Sequence, residues 1–473
     1  MTDVTPAAIA MNRFGLGARA NEAAPSDPKR WLAAQLTGAT YQPMPPALAD
    51  QPSSSVLAAD FAERQSAIRA TGADDKKGVR KAYNEKLRDT YRAAVNARFN
   101  SALQTQAPFV ERLVAFWSNH FAVSVEKPAV AMLAGSFETE AIRPHVLGHF
   151  EDMLIAAERH PAMQIFLDQA RSVGPDSPAA ERVAARHPDR KPGLNENLAR
   201  EIMELHTLGV RSGYEQTDVT EFARALTGWS IGAMGGMAAN ARRTDPAAPG
   251  AFVFREPQHE PGTRTVMGRQ YSPGGPGEQQ ALAILHDLAA SPATAQHIAG
   301  KLARHFVADT PPPALVERLA SVFSATNGDL PSVYQVLIDS PEAWSPVDAK
   351  FKTPWDWTVS SMRGFGHTGL GTLQIAPLLT QLGQSVWRPG SPAGYDDIAA
   401  SWAAPDALVR RVEIAQRLAS RVGNTLDPLD ARSLGNQLLA GSLSDATASE
   451  LSRAESATTA LALLLVSPDF QRR

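Results

Sequence analysis

Apolar residues recur at steps of three and four along most of the chain. "APFVERLVAFWSNHF" puts Val110, Leu113, Val114, Trp117 and Phe121 on one stripe, the pattern of a helix that buries one face. The same period runs through "PATAQHIAGKLARHFV", "PALVERLASVFSA", "SVYQVLIDS", "PDALVRRVEIAQRLASRV" and "ESATTALALLLV". Pro108, Pro292, Pro313 and Pro405 open such stretches; proline suits a first helical turn because the N–H it lacks has no partner there. A more polar helix is predicted from Arg80 to Gln104, its weak apolar stripe suited to lying across the surface of the core.

One stretch departs from this period. "AFVFREPQHEPGTRTVMGRQY" alternates at Phe252 to Phe254, passes Pro261-Gly262 and resumes as "TRTVMG", which predicts a β-hairpin turning at Pro-Gly. Segments 172–193 and 230–250 show neither period and are rich in loop-forming residues. Loops of that length inside a domain are commonly functional, and these two flank a polar helix as lids would. The predicted fold is mostly α: a single large multi-helix domain over 1–473, with one small β-hairpin near 251–268 and loop insertions near 172–193 and 230–250.

Composition narrows the function. The 473 residues are 44% hydrophobic and 20% charged, a balance that folds rather than stays disordered. A net charge of −3 without a long cationic cluster gives nucleic acid no electrostatic foothold. Cysteine is absent, which removes disulfides, thiolate metal sites and cysteine nucleophiles; any metal must be held by oxygen and imidazole. The opening residues lack a basic leader followed by an apolar run, and no stretch reaches the roughly 18 apolar residues of a membrane span. A cytoplasmic protein is the simplest expectation, with export alongside a signalled partner the alternative. No P-loop, Gly-x-Ser-x-Gly elbow, His-Glu-x-x-His or EF-hand loop is present.

The polar chemistry concentrates in "GLNENLAREIMELHTLGV". At about 100° per residue, Asn197, Arg200, Glu201, Glu204 and Thr207 share one face and Leu194, Leu198, Ile202 and Leu205 lie on another. His206 falls on neither, in the last turn before Gly209, a residue suited to end the helix. One reading is a solvated face with Arg200 and Glu204 paired four apart. The other turns Glu201 and Glu204 into a polar cavity. "TDVTEFARALTGW" adds Asp218, Glu221 and Arg224; Asp218 and Glu221 have the spacing of a capping box, yet a helical hairpin can also bring them to the first carboxylate face. His120 ends "FWSNHF" and His259 sits in "HEPG", each explicable as a cap or a core hydrogen-bonder. His305 lies on an apolar face. In "KFKTPWDW", Lys350, Lys352 and Asp356 beside two tryptophans read as an anion site or as surface lysines with snorkelling stems.

"MNRFGLGA", "FWSNHFAVS", "NENLAREIMELHTLGV", "TDVTEFARALTGW", "HEPG…VMG", "HIAGKLARHFVAD", "KFKTPWDW" and "LLLVSPDFQRR" occur in this order from Met11 to Arg473. Together they resemble the bacterial family termed domain of unknown function 1800, over essentially the whole chain. The resemblance implies a helical protein with no assigned activity, whose genes often neighbour those of a sulfatase-like family, domain of unknown function 1501. The family motif falls on Asn195, Glu196, Asn197, Arg200, Glu201, Glu204, His206, Asp218, Glu221, Arg224 and His259.

Two functions follow. The first is a metal-binding or hydrolytic enzyme, with Glu201, Glu204, Asp218, Glu221 and His259 as catalytic candidates and Asn197, Arg200, Arg224, His120 and His206 as binding candidates. A divalent metal on oxygen and nitrogen ligands, or a metal-free carboxylate–histidine pair doing acid–base hydrolysis, supplies the chemistry. The second is a non-catalytic partner or assembly factor of the sulfatase-like protein. It predicts an exposed aromatic surface built from Trp355, Trp357, Trp387 and Trp402, with the central acids fully paired to arginines.

Overall fold

In the computed structural model, which describes residues 4–72, 75–187, 189, 193–232, 234, 247–346, 350–423 and 431–473, the periodic stretches are helices. They run Pro108–His120, Pro292–Phe306, Pro313–Ala325, Leu330–Asp339, Pro405–Gly423 and Ala457–Val466. Pro108, Pro292, Pro313 and Pro405 each stand in a first turn. The polar helix begins four residues before its predicted start, at Lys76–Gln104, and buries only a narrow stripe that includes Tyr83, Leu87, Val95 and Phe99. One hydrophobic cluster takes in residues from Ile9 to Phe470.

Two helices lie deepest. Pro354–Gly364 buries every residue, and Pro108–His120 buries all but Ala115 and Asn119. Such helices must find partners for their polar groups inside the protein. Glu111 accepts from Arg143 at 3.0 Å, Trp117 Nε1 donates to the Tyr334 hydroxyl at 2.6 Å, and Trp357 Nε1 donates to the Leu465 carbonyl at 2.8 Å. Arg363 donates to the carbonyls of Gly17 and Ala102 at 3.0 and 3.1 Å.

Three segments are π-helical: Ala10–Phe14, Glu138–Ile142 and Ile202–His206. A π turn bonds i to i+5 and so adds a residue to the turn. Each of these turns carries a polar residue into the interior: Arg13, Glu138 and His206, each 1% exposed.

The β structure differs from the predicted hairpin. Phe252–Phe254 pairs antiparallel with Trp229–Ile231, while Arg264–Val266 pairs with Arg269–Tyr271. The second pair turns at Met267 and Gly268, both with positive φ (50° and 76°), as the tight primed turns of two-residue hairpins require. The Pro-Gly signal misled because it sits between two sheets rather than within one. Segment 172–193 holds a helix, Pro178–Arg186, whose Ser177 side chain caps the Ala180 N–H. Residues 188 and 190–192 of that segment, and 233 and 235–246 of the other, lie outside the described residues, so the lid reading falls outside them for most of the second segment and for a small part of the first. Among the described residues no helix is long and apolar enough to cross a membrane.

Candidate active site

The opening polar helix divides at its middle. Asn197–Glu201 is α-helical and Ile202–His206 is a π turn. A constant 100° per residue therefore fails after Glu201. Leu198, Ile202 and His206, and likewise Ala199, Met203 and Thr207, fall at steps of four on the buried side. His206 is turned inward, where its Nδ1 lies 2.8 Å from Glu158 Oε1 and both side chains are buried. Its carbonyl accepts from His120 Nε2 at 3.1 Å. Gly209 ends the helix at φ 89° with His297 packed so close that a Cβ there would fall 2.8 Å from His297 Nδ1. Thr207, expected on the polar face, donates to the Ile202 carbonyl at 2.7 Å instead.

The other half of the polar face meets Gln216–Leu226, the second arm of a helical hairpin. Arg200 donates to Gln216 at 2.8 Å and pairs with Glu196 at 3.3 Å and Glu204 at 3.5 Å. Glu196 also accepts from Thr220 at 2.7 Å. The capping box is three residues earlier than its predicted place. The Glu215 backbone N–H donates to Asp218 at 2.8 Å, and the other Asp218 oxygen accepts from the Met267 N–H at 2.8 Å, tying the helix start to the hairpin turn. Glu221 lies between Arg224 at 2.8 Å and Arg264 at 3.2 Å. Asn197 is exposed. His259 is buried apart from these acids, its Nδ1 donating to the Thr227 carbonyl at 2.9 Å. Glu201 alone of the expected acids has no ion pair or hydrogen bond among the described residues; it is half-buried, and burial pushes its carboxyl up. The candidates thus separate into a surface network, a helix-start clamp, a distant histidine and a buried His120–His206 pair. Among the described residues no three His, Asp or Glu side chains gather as a metal-ligand set.

A different place brings several motifs together. A cavity of about 230 Å³ is lined from Pro108–His120 by Arg112 and His120, from Pro292–Phe306 by Lys301 and His305, and from Pro354–Gly364 by Trp355 and Asp356. The Pro- and Gly-rich stretch 384–397 closes it with Trp387, Tyr395 and Asp397. His305 Nδ1 is hydrogen-bonded to Asp397 Oδ2, so the proton sits on Nδ1 and the lone pair on Nε2, which is buried without a partner. Burial holds His305 below the usual histidine range despite Asp397. Lys301 stands one turn before His305 on the same helix face. It makes no hydrogen bond or close ion pair among the described residues, and burial lowers its ammonium to about 8.

The cavity wall is held by a chain of buried charges. Arg112 donates to the Gly15 carbonyl at 2.7 Å and to Asp356 Oδ1 at 3.0 Å. Arg473 lies 3.3 Å from Asp356 Oδ2 and 3.5 Å from Asp397 Oδ1, at ion-pair distance without hydrogen-bond alignment. Lys350 pairs with Asp309 and donates to the Asp397 carbonyl at 2.6 Å. Facing cations hold Asp356 well below the usual carboxylate range, and His305, Arg473 and Lys350 bring Asp397 down to about 2 although burial opposes this. Lys350 and Lys352 are 2% and 1% exposed, which rules out the snorkelling surface pair. Lys352 instead sits 3.9 Å from the centre of the Phe470 ring. The four tryptophans expected on a partner surface are buried: Trp355, Trp387 and Trp402 at 7 to 8% and Trp357 at 0%. Arg98, paired with Glu138 at 2.7 Å, stacks on Trp355 and Trp387.

The family model described as "Protein of unknown function (DUF1800)" matches residues 9–472. The chain belongs to the DUF1800 family. No curated protein and no solved structure matches it. In this DUF1800 protein, sequence reasoning passed over Lys301, Asp397 and Tyr395, and placed Trp387 on a surface rather than at the cavity. Lys301 and His305 stand four apart in "GKLARHF", but a basic residue one turn before a histidine on an amphipathic helix has many ordinary explanations. Asp397 lies in "PGSPAGYDD", where the only available signal was that binding groups concentrate in loops set on a rigid scaffold.

Proposed function

We propose that this DUF1800 protein is an acid–base enzyme, a hydrolase of a small polar substrate, with its reaction centre in the cavity rather than on the opening polar helix. The reading is carried by the His305–Asp397 pair, an imidazole oriented through Nδ1 with its Nε2 lone pair buried and unused, one helical turn from an unpaired lysine. This is the arrangement in which a carboxylate fixes the tautomer and the histidine takes a proton from water or a hydroxyl. Asp397 orients, His305 is the base, and the Lys301 ammonium steadies negative charge that develops on the substrate. Burial keeps His305 neutral, hence basic in the useful sense, at neutral pH. Activity is expected to fall on the acid side as His305 takes a proton, and on the alkaline side above about 8 as Lys301 loses one. A divalent metal has weaker support, because no ligand set gathers among the described residues.

The test is a panel of chromogenic esters, amides, phosphate esters and glycosides, run on the native chain before and after chelator dialysis. Turnover that survives dialysis and drops about 10²–10⁴-fold in His305→Gln supports the centre. Turnover unaffected in His305→Gln but lost in Glu201→Gln moves it to the helical hairpin, where Glu201 is the acid without a partner.

A second reading, a non-catalytic partner of a sulfatase-like protein, has one observation in its favour. Glu196, Glu204 and Glu221 are paired to arginines, part of the full pairing that reading predicted, while Asp218 caps backbone N–H groups and Glu201 has no ion pair among the described residues. The burial of all four tryptophans removes the surface it relied on. Co-purification of the two native proteins tests it, and separation at both low and high salt argues against it.

A further inference from the structure

The groups that line the cavity also specify what it takes, if it is the reaction centre proposed above. His120 Nε2–H donates to the His206 carbonyl, which leaves Nδ1 as a lone pair, buried and without a partner. His305 Nε2 is a second such lone pair. Trp387 Nε1 is an unpartnered buried donor, and Lys301 contributes a cation with no partner of its own. Buried polar atoms left without partners each cost about 1–3 kcal/mol and call for an explanation. Such atoms occur elsewhere in the protein too, but three of these nitrogens belong to residues that line one space, and with the Lys301 ammonium beside them they form a pattern of two acceptors, one neutral donor and one cation.

Charge sets the ligand's valence. Arg98 and Arg112 are neutralised by Glu138 and Asp356, and Lys350 and Arg473 by Asp309 and Asp397. Lys301 and the outer Arg304 remain, against Asp396, which favours a single negative charge over a dianion. Size follows from the volume: about 230 Å³ has room for roughly eight water-sized groups. The acceptors need hydroxyl or N–H protons from the ligand, and the walls at Phe116, Trp355 and Trp387 cover its carbon skeleton.

We propose that the cavity binds a small hydroxylated carboxylate, with its anionic end on the Lys301 ammonium and Trp387 Nε1–H and its hydroxyls donating to the His305 and His120 nitrogens. The nitrogens become reachable as the side chains around the ligand adjust, since catalytic hydrogen bonds often tighten only in the complex.

Calorimetric titration of the full chain separates the elements of this pattern. Glycerate carries both charge and hydroxyls, propanoate lacks the hydroxyls, glycerol lacks the charge, and inorganic phosphate offers the wrong anion. Glycerate is expected to bind at least about tenfold more tightly than each of the others, with the margin over glycerol lost in Lys301→Met and kept in Lys301→Arg. Melting curves on both variants confirm that they are folded. Glycerate no better than propanoate or glycerol, phosphate preferred to glycerate, or a margin unchanged in Lys301→Met each overturns the proposal. Because titration reads binding alone, selective binding without turnover counts against the catalytic reading and leaves this one standing; turnover without selectivity does the reverse.

Discussion

Around the helical hairpin, Arg200 has three partners and Glu221 two, on side chains about a third exposed or less. Around the cavity, His120, His305 and Trp387 hold buried nitrogens that meet nothing. Both regions are rich in the same residue types, and a sequence read by type alone assigns them similar chemistry. The hairpin region also holds buried atoms without partners, Arg224 Nε and His259 Nε2; what separates the two is that at the cavity three such nitrogens sit on residues lining one space. A polar group whose partners are all protein groups stiffens the structure, whereas one buried without a partner is destabilising unless something else binds there. The density of polar residues marked the hairpin; convergence of unpartnered nitrogens on one space marks the cavity.

The comparison breaks first at the charges behind the cavity wall. Asp356 faces both Arg112 and Arg473, so Asp356→Asn leaves two buried guanidinium groups short of their counter-ion. We expect a loss of about 3–5 kcal/mol in chemical denaturation. A loss under about 1 kcal/mol would mean that this wall is as solvent-screened as the hairpin.

Lys352 sharpens the contrast with an effect of the opposite sign. Burial lowers its amine in the folded chain to about 7 from an ordinary 10.5, while the unfolded chain keeps the ordinary value. Between these two values folding releases a proton, so its contribution to stability improves as pH rises through that window. Below about 7 both states are protonated and the folded chain carries the full cost of a buried ammonium. Lys352→Met is therefore expected to stabilise the protein by a few kcal/mol near pH 6, with the gain shrinking toward zero by about pH 10. A pH-independent effect would tie it to packing against Phe470 instead.

How far the sequence could reveal this follows from where regular periods hold. The helices from Pro108–His120 to Ala457–Val466 were legible because an apolar period recurs in them and, in Pro108–His120, Pro292–Phe306, Pro313–Ala325 and Pro405–Gly423, a proline leads. The inward turn of His206 was not, because a π turn changes the phase of every residue after Glu201, and "REIMELH" carries no composition that distinguishes it from an α-helix. The strand partners failed for a different reason: Trp229–Ile231 pairs with Phe252–Phe254 across a long connection, and local turn signals do not report non-local pairing. The polar motifs were visible as segments, but convergence of three helices and a loop on one cavity is tertiary information. Asp397, set in a loop without periodicity, had no pattern to betray it.

Smaller effects belong to the hairpin. Asp218 caps two N–H groups, those of Glu215 and Met267; Asp218→Ala is expected to cost about 1 kcal/mol, within the usual 0.5–2 kcal/mol of a lost cap. Proton exchange at the Met267 amide should quicken with it, since that bond is not replaced.

Arg200 is the most demanding test of the distinction, because it stands at the centre of the stretch with the densest polar sequence. Its guanidinium is about a third exposed and its two ion pairs are long, 3.3 and 3.5 Å, so water and salt screen them and each contributes little. Arg200→Ala should cost about 0.2–1 kcal/mol and less at high ionic strength, read as a small fall in denaturation midpoint with unchanged slope. The helix itself is held from its other side, by Ile202, Met203 and His206 in the core, and does not depend on the pair. A loss of several kcal/mol that salt does not relieve would mean that the polar face is dry in solution. Glu201, which has no partner there, would then be an acid in a closed site, and the two regions would differ in degree rather than in kind.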